Sequence, residues 1–327
     1  MQIVITGGAG FIGSTLAPRL LSMGHKVHVV DNLMYGGQAI LPLFINPNFS
    51  FSEVDVTDAA ALAPELKDAD VVVHLAAKVG GVKGNSDYVS DFFHDNIMIN
   101  TNVLQACKNH GVSKVLSLLS TCIYPDNPTY PLTEDQIHNG EPHRSNFGYA
   151  YAKRMLEVHS RTIRSQYALN YITAVPNNIY GPKDNFDLEN GHVIPSMIRK
   201  FHEAKINDTP VVLWGSGNPL REFTYSTDIA KALLFLLENY EGEIPINIGT
   251  TREVSIKKVS EIISKEIGFT AKVMWDLTKP EGQLKKPSSN QKFLDMCPNF
   301  CYTDLECGLK DTISWFKNSY PNVRGIN

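Results

Sequence analysis

The sequence predicts a doubly wound α/β fold: a parallel sheet with helices on both faces, followed by a smaller α/β domain. Three observations carry this expectation. Short apolar runs, several rich in valine, recur at residues 3–6, 27–30, 71–76 and 115–119, as in strands covered on both faces. Between them, residues 11–21 and 97–107 show apolar positions at three- and four-residue spacing, the helical pattern. A glycine string, Gly7-Gly8-Ala9-Gly10-Phe11-Ile12-Gly13, joins the first strand to the first helix. Repeated βα units of this kind close into a parallel sheet with right-handed crossovers. Residues 148–167 then read as a long helix and 171–175 as a further strand.

After about Pro176 the texture changes. Pro, Asn and Gly become denser, loops lengthen, and helices are expected at 192–204, 227–238 and 255–267. The expected division is a dinucleotide-binding Rossmann domain over 1–176 and a substrate domain over 177–327, interleaved with the last sheet strands.

Composition excludes several classes. Lys+Arg 30 against Asp+Glu 34 gives a net charge of -4, without the basic excess of a nucleic-acid binder. No uncharged run of about 20 apolar residues could span a bilayer. The start, MQIVITGGAG, lacks the basic and apolar regions of a signal peptide. Five cysteines in 327 residues form no disulfide framework and suit a reducing cytoplasm. Cys297, Cys301 and Cys307 cluster without zinc-ligand spacing, so buried thiols rather than a metal site are expected.

The glycine string has the context that a dinucleotide site needs, between a strand and a helix. Gly7, Gly10 and Gly13, with Phe11 and Ile12, would let the backbone approach a pyrophosphate at the helix N-terminus. Asp31 ends the second predicted strand about 20 residues later, where a carboxylate accepts from ribose hydroxyls and repels a 2′-phosphate. It favours NAD(H). Asn32 adjoins it, and Asp55-Val56, read as the end of the next strand, would face the adenine. Leu75, Ala76 and Ala77, in the HLAA run, end the fourth strand beside the same site.

Tyr149 and Lys153 stand four apart and so share a helix face. A neighbouring ammonium lowers a phenol's pKa and prepares it for proton transfer. Ser120, at the end of the fifth predicted strand, lies where α/β sheets hold their chemistry.

Together the glycine turn, HLAA, Ser120 and the Tyr149/Lys153 pair resemble the extended short-chain dehydrogenases acting on nucleotide sugars. From about residue 79 to 315 the chain is similar to the GDP-L-fucose synthase family, through STCIYP (120–125), HNGEPH (138–143), NFGYAYAKRM (146–155), PNNIYGPKDNF (176–186), NGHVIP (190–195) and WGSGNPLREF (214–223). That family converts GDP-4-keto-6-deoxy-D-mannose by 3,5-epimerisation and 4-reduction with NADP(H), and is usually dimeric. The resemblance implies a reductase triad of Ser120, Tyr149 and Lys153, with Cys122 and His192 as epimerisation acid and base. It implies GDP-sugar contacts from Asn178, Lys200, Trp214 and Arg221, whereas Lys279, Lys285 and Lys286 read as solvated surface charge. Taken alone, Cys122 would be an apolar core cysteine and His192 a helix-start residue.

The first 60 or so residues, with DNLMYGG at 31–37, are more similar to NAD-dependent sugar epimerases and dehydratases. The alternative function is therefore an NAD-dependent GDP-sugar (hexose or heptose) 4-oxidase or epimerase. A non-catalytic nucleotide-binding protein is the remote alternative, and a poised Tyr/Lys pair has no use in it.

Overall fold

The computed structural model describes residues 1–279 and 283–326. Its first half runs β1 (Gln2–Thr6), α1 (Gly13–Ser22), β2 (Lys26–Asp31), β3 (Phe49–Glu53), α2 (Ala59–Leu62), β4 (Val71–His74), α3 (Val82–Asp87), α4 (Val89–Asn109), β5 (Lys114–Leu118), α5 (Phe147–Tyr167) and β6 (Asn170–Val175). The second half adds β7 (Asn178–Tyr180), α6 (Val193–Asn207), β8 (Val211–Trp214), β9 (Leu220–Tyr225), α7 (Ser226–Asn239) and β10 (Ile246–Asn247). It ends with β11 (Glu253–Ser255), α8 (Ile256–Ile267), β12 (Val273–Asp276), α9 (Gln291–Met296) and α10 (Leu305–Ser319).

Seven strands form one parallel sheet in the order β10-β6-β5-β4-β1-β2-β3. The order reverses at β1, which pairs Thr6 with Val30 on one side and with His74 on the other. That switch point opens the crevice where such sheets bind ligands. The last sheet strand, β10, returns from beyond residue 240, so the chain crosses back after leaving for β7. Two small sheets, β11-β9-β7 and β12-β8, build the rest of the second half.

Alternation along the strands divides the core. Ile3 and Ile5 point to one face with Leu16, Leu20, Leu233 and Leu236, while Val4 points to the other with Val103, Leu104, Leu156 and Ile163. Helices α1 and α7 thus cover one side, and α4 and α5 the other. A third core, around Phe186, Phe201, Ile263 and Phe316, holds the second lobe.

The expected elements differ from the observed ones mainly at ends. The first helix begins at Gly13, because Phe11 and Ile12 belong to the glycine turn. The fourth strand stops at His74, leaving Leu75–Ala77 as crevice wall. The third ends at Glu53, so Asp55 and Val56 lie in the following turn. Cys301 and Cys307 are exposed rather than buried, since one lies in an irregular connection and the other on the outer side of α10. Among the described residues no His/Cys/Asp/Glu group could hold a metal, and no helix is long and apolar enough to cross a membrane.

Helices α4 and α5 cross closely at Gly148, where an added Cβ would overlap the Val89 carbonyl oxygen and stand 3.2 Å from Phe93 Cβ. Helix propensity alone favours alanine over glycine by about 1 kcal/mol. Overpacking opposes it, so Gly148→Ala is expected to destabilise the fold by about 1–3 kcal/mol. Urea denaturation measures this, and a variant as stable as the parent would contradict the close crossing.

Candidate active site

The crevice begins at the glycine turn. Gly7 has φ +72, and a Cβ on it would stand 2.5 Å from the Ala76 nitrogen, so only glycine fits against Leu75–Ala76. The Gly7 amide donates to the Val30 carbonyl (2.8 Å) and the Gly10 amide to the Gly7 carbonyl (3.1 Å). Helix α1 starts immediately afterwards with no side-chain cap and no acidic residue in its first turn. Its positive end therefore faces the turn uncompensated, which fits the pyrophosphate of a dinucleotide.

Asp31 stands beside this turn. Its two oxygens accept from the Ala9 amide (3.0 Å) and the Leu33 amide (2.9 Å). Burial pushes its carboxyl up, against the pull of these amides and of Arg324 nearby. Asn32 donates weakly to Asp55 (3.4 Å) and accepts from the Met34 amide. Asp55 is taken up chiefly by the Thr57 amide and hydroxyl, which hold its carboxyl low. Val56 is buried in the second core with its carbonyl bonded by Asn102. Asp55 and Val56 thus serve a turn more visibly than a ligand.

Ser120 follows β5, and its hydroxyl accepts from the Cys122 amide at 3.3 Å. Lys153, 2% exposed, donates from Nζ to the Leu118 carbonyl at 2.8 Å and lies 6.0 Å from the Tyr149 ring centroid. Strand end and helix are thereby tied together, bringing Ser120, Cys122, Tyr149 and Lys153 to one place. The electrostatics correct one expectation. Burial, with a smaller push from Cys122, raises the Tyr149 phenol above its ordinary value of 10.0 instead of lowering it. Burial also draws Lys153 down to about 8. Desolvation prevails, and the buried lysine's charge is taken up by a carbonyl rather than by the phenol.

His192 occupies the N-cap position of α6 without capping it. Its ring reaches solvent, yet the recess around it is desolvating enough, with Arg324 adding to the effect, to move the imidazole below 6.5.

Arg221 is drawn down by burial and feels Tyr130 and Glu253; its Nη1 donates to the Leu220 carbonyl at 2.7 Å. Lys286, expected on the solvated surface, is instead half-buried and within electrostatic reach of Cys122, Arg221 and Glu222. Burial is the main influence lowering it, because its loop folds inward between Tyr130 and β9. Lys285 lies 5.5 Å from the Tyr130 ring centroid. Trp214, 46% exposed, is flanked by Lys200 at 5.5 Å and Lys279 at 5.6 Å, so Lys279 too belongs to a cluster. The Asn178 amide donates to the Glu222 carbonyl (2.8 Å), fixing β7 against β9.

Three supports escaped the sequence reading. Arg154 donates to the carbonyls of Ile123 (2.6 Å) and Gly140 (2.7 Å), pinning the Cys122 turn onto α5. Glu222, 2% exposed, accepts from Ser288 and Asn177 beneath the cleft. His74 bonds Thr6 (2.8 Å) and Asn100 (3.1 Å), and Asn100 donates to the Ala152 carbonyl (3.2 Å), next to Lys153. Only position within recognisable segments hinted at Arg154 and His74. Lys286 carried no signal, since a dibasic pair in a loop is ordinarily solvent-exposed.

A glycine turn at a sheet switch point, with a serine, tyrosine and lysine gathered at the end of β5, defines a nicotinamide-dependent nucleotide-sugar oxidoreductase or epimerase. The chain belongs to the NAD dependent epimerase/dehydratase family, whose model matches residues 3–249, and within it to the GDP-L-fucose synthases. It is 44% identical to the GDP-L-fucose synthase of Dictyostelium discoideum, covering 98% of this chain and 97% of that protein. With a probable GDP-L-fucose synthase of Drosophila melanogaster it shares 35% identity over 99% of both. A solved GDP-L-fucose synthetase from Naegleria fowleri bound to NADP superposes with a TM-score of 0.85 at 35% identity, covering 99% of this chain and 96% of that one.

The His74 network has a direct spectroscopic consequence. Burial, then the Lys153 charge, lowers its imidazole to about 3. Nitrogen-15 NMR of labelled histidine should find His74 neutral from pH 8 down to about pH 4. A His74 imidazolium at pH 6 would contradict the buried network.

Proposed function

We propose that the protein is a GDP-sugar 3,5-epimerase and 4-reductase, converting GDP-4-keto-6-deoxy-D-mannose to GDP-L-fucose or a close analogue. The observation that carries this reading is the convergence of Tyr149, Ser120 and Cys122 with two cations, Arg221 and Lys286, around one cleft. Redox chemistry alone needs the first two; a thiol beside them calls for proton chemistry as well.

Carbons 3 and 5 flank the carbon-4 ketone, so their protons are acidic through a shared enolate. Inverting each centre means removing a proton from one face and returning one to the other. His192, whose imidazole is held below 6.5, is neutral at pH 7 and suited to accept a proton. Cys122, within electrostatic reach of Lys286, is the complementary donor. Ser120 and Tyr149 hydrogen-bond the carbon-4 oxygen and stabilise the enolate. A nicotinamide cofactor held at the glycine turn, residues 7–13, would supply the hydride for carbon 4. Tyr149 delivers the proton to the oxygen: its raised pKa keeps it protonated, as a general acid must be. Lys153 positions the tyrosine and favours the phenolate left behind. Arg221 and Lys286 hold the diphosphate, the former with the planar fork that suits phosphate oxygens. Trp214, between Lys200 and Lys279, stacks the base, and Asn178 faces the sugar.

Asp31 supports NAD(H) over NADP(H) for this chain, since a 2′-phosphate beside a half-buried carboxylate meets like-charge repulsion. It is also the observation favouring the second reading, an NAD-dependent GDP-sugar 4-oxidase or epimerase that returns its hydride within each turnover. A cytoplasmic location suits the five free thiols. For the oligomer we place a twofold contact on α4 and α5, whose outer sides expose Phe93, Met98, Phe147 and Met155, in keeping with the usual dimer of the family.

Three outcomes are expected. In heavy water the wild type should incorporate deuterium at carbons 3 and 5, and Cys122→Ser and His192→Asn about a hundredfold more slowly; exchange at the normal rate in both variants would remove these residues from the chemistry. Titration at fixed salt should give tighter binding of NADH than of NADPH, with the gap narrowed in Asp31→Ser; tighter NADPH binding by the wild type would overturn the role given to Asp31. Met155→Glu should convert a sedimenting dimer to monomer, and an unchanged sedimentation coefficient would move the contact elsewhere.

A further inference from the structure

The cofactor site so far is made from the first 80 residues, yet a side chain from the far C-terminus reaches it. Arg324 Nη1 stands 4.0 Å from the position a Cβ on Gly10 would take. The guanidinium carbon lies 3.8 Å from the centroid of the Tyr35 ring, and the Tyr35 hydroxyl donates to the Val79 carbonyl at 3.3 Å. A stacked guanidinium keeps its edge donors free for an in-plane acceptor.

The backbone carrying this arginine is fixed independently of its side chain. Phe186 donates its amide to the Arg324 carbonyl (2.9 Å), and Arg199 donates to the Gly325 carbonyl (2.8 Å). Gly325 has φ +85 and packs against Asn185 and Asp187, while Val323 is buried in the third core. The side chain is therefore not needed to seat the segment.

One of its donors lacks an acceptor, although Tyr35 is hydrogen-bonded to the guanidinium. Arg324 Nε is buried with no hydrogen-bond partner, and so is Asp184 Oδ2 close by. The carboxylates within reach are otherwise engaged: Asp31 with Ala9 and Leu33, Asp184 through Oδ1 with the Asn185 amide. Burial pushes Asp184 up to about 7, which weakens it as a counter-charge near neutrality. A partly desolvated cation with an unmet donor is costly, and the uncapped start of α1 lies beside it. Both features are relieved by one anion at the turn.

We propose that Arg324, carried on the C-terminal segment, binds a phosphate of the dinucleotide at the glycine turn. The proposal rests on the cofactor lying at that turn. It makes the end of the chain a wall of the cofactor site and joins the third core to the first βα unit. The position favours the pyrophosphate, shared by both nicotinamide cofactors; the 2′-phosphate of NADP(H) is the other source of the same chemistry.

The test is calorimetric titration of NADH, NADPH and GDP into wild type, Arg324→Met and Arg324→Lys at one salt concentration. Methionine keeps an unbranched stem but no charge; lysine keeps the charge without the fork. Arg324→Met is expected to weaken cofactor binding about ten- to a hundredfold, as loss of a charge-assisted hydrogen bond does, with lysine intermediate and GDP affinity unchanged. Equal weakening of NADH and NADPH places the arginine on the pyrophosphate, and weakening confined to NADPH on the 2′-phosphate. Should Arg324→Met fail to fold, the lysine variant decides, since the fork alone should be worth several-fold. Unchanged affinity for both cofactors in the folded variants would overturn the proposal. A wild type that binds neither cofactor would instead refute the glycine-turn reading beneath it.

Discussion

The arrangement depends on one buried contact, the Lys153 ammonium held by the Leu118 carbonyl at 2.8 Å. An ammonium removed from water is costly unless hydrogen-bonded, and this carbonyl is the last of β5, free because the strand has ended. The contact therefore fixes α5 against the sheet end at one height. Tyr149 is one turn earlier on the same helix, so it is delivered beside the turn that carries Ser120 and Cys122. Arg154, the next residue, binds the Ile123 carbonyl and draws the Cys122 turn onto the same helix. Below, the chain from Thr6 through His74 and Asn100 to the Ala152 carbonyl locks the backbone on which Lys153 sits. Moving α5 would displace Tyr149, Lys153 and the Cys122 turn together.

Charge is distributed to match. The chain as a whole is slightly acidic, with a formal net charge of -4, yet Arg221 and Lys286 meet near Cys122, and Lys200 and Lys279 flank Trp214. Cations so placed favour a diphosphate and raise its local concentration without making the protein broadly basic. The floor under them is a carboxylate, Glu222, satisfied by Ser288 and Asn177. Burial pushes that carboxyl up, against the hydrogen bonds from Ser288 and Asn177.

Much of the sheet and of the Tyr149/Lys153 site was legible because both follow short-range rules. Short apolar, valine-rich runs placed β1 and β2, and four-residue spacing put tyrosine and lysine on one helix face. What escaped was set by long-range packing. Lys286 looked like surface charge because nothing local says that its loop turns inward against β9. The Tyr149 pKa was misjudged because spacing reveals the neighbouring ammonium but not the depth of burial, and depth decides the sign. Arg324 could not be placed from sequence, since its role depends on the C-terminal segment docking on residues 185–187. Asp31 was read correctly as the residue ending β2, although the two backbone amides it accepts became visible only in the fold.

Under the proposed function, Lys153, charged and anchored, keeps Tyr149 ready as proton donor for hydride transfer at carbon 4. The most direct measurement is the single-turnover rate of deuteride transfer from 4-deuterated reduced nicotinamide to GDP-4-keto-6-deoxymannose, followed from pH 6.5 to 9.5. With Lys153 drawn down to about 8, its charge is present below that pH and lost above it. The rate should therefore fall as pH rises through about 8, and Lys153→Met should be slow throughout with that limb absent. A wild-type rate that stays level to pH 9.5, or a Lys153→Met variant that transfers deuteride at the wild-type rate, would contradict the account.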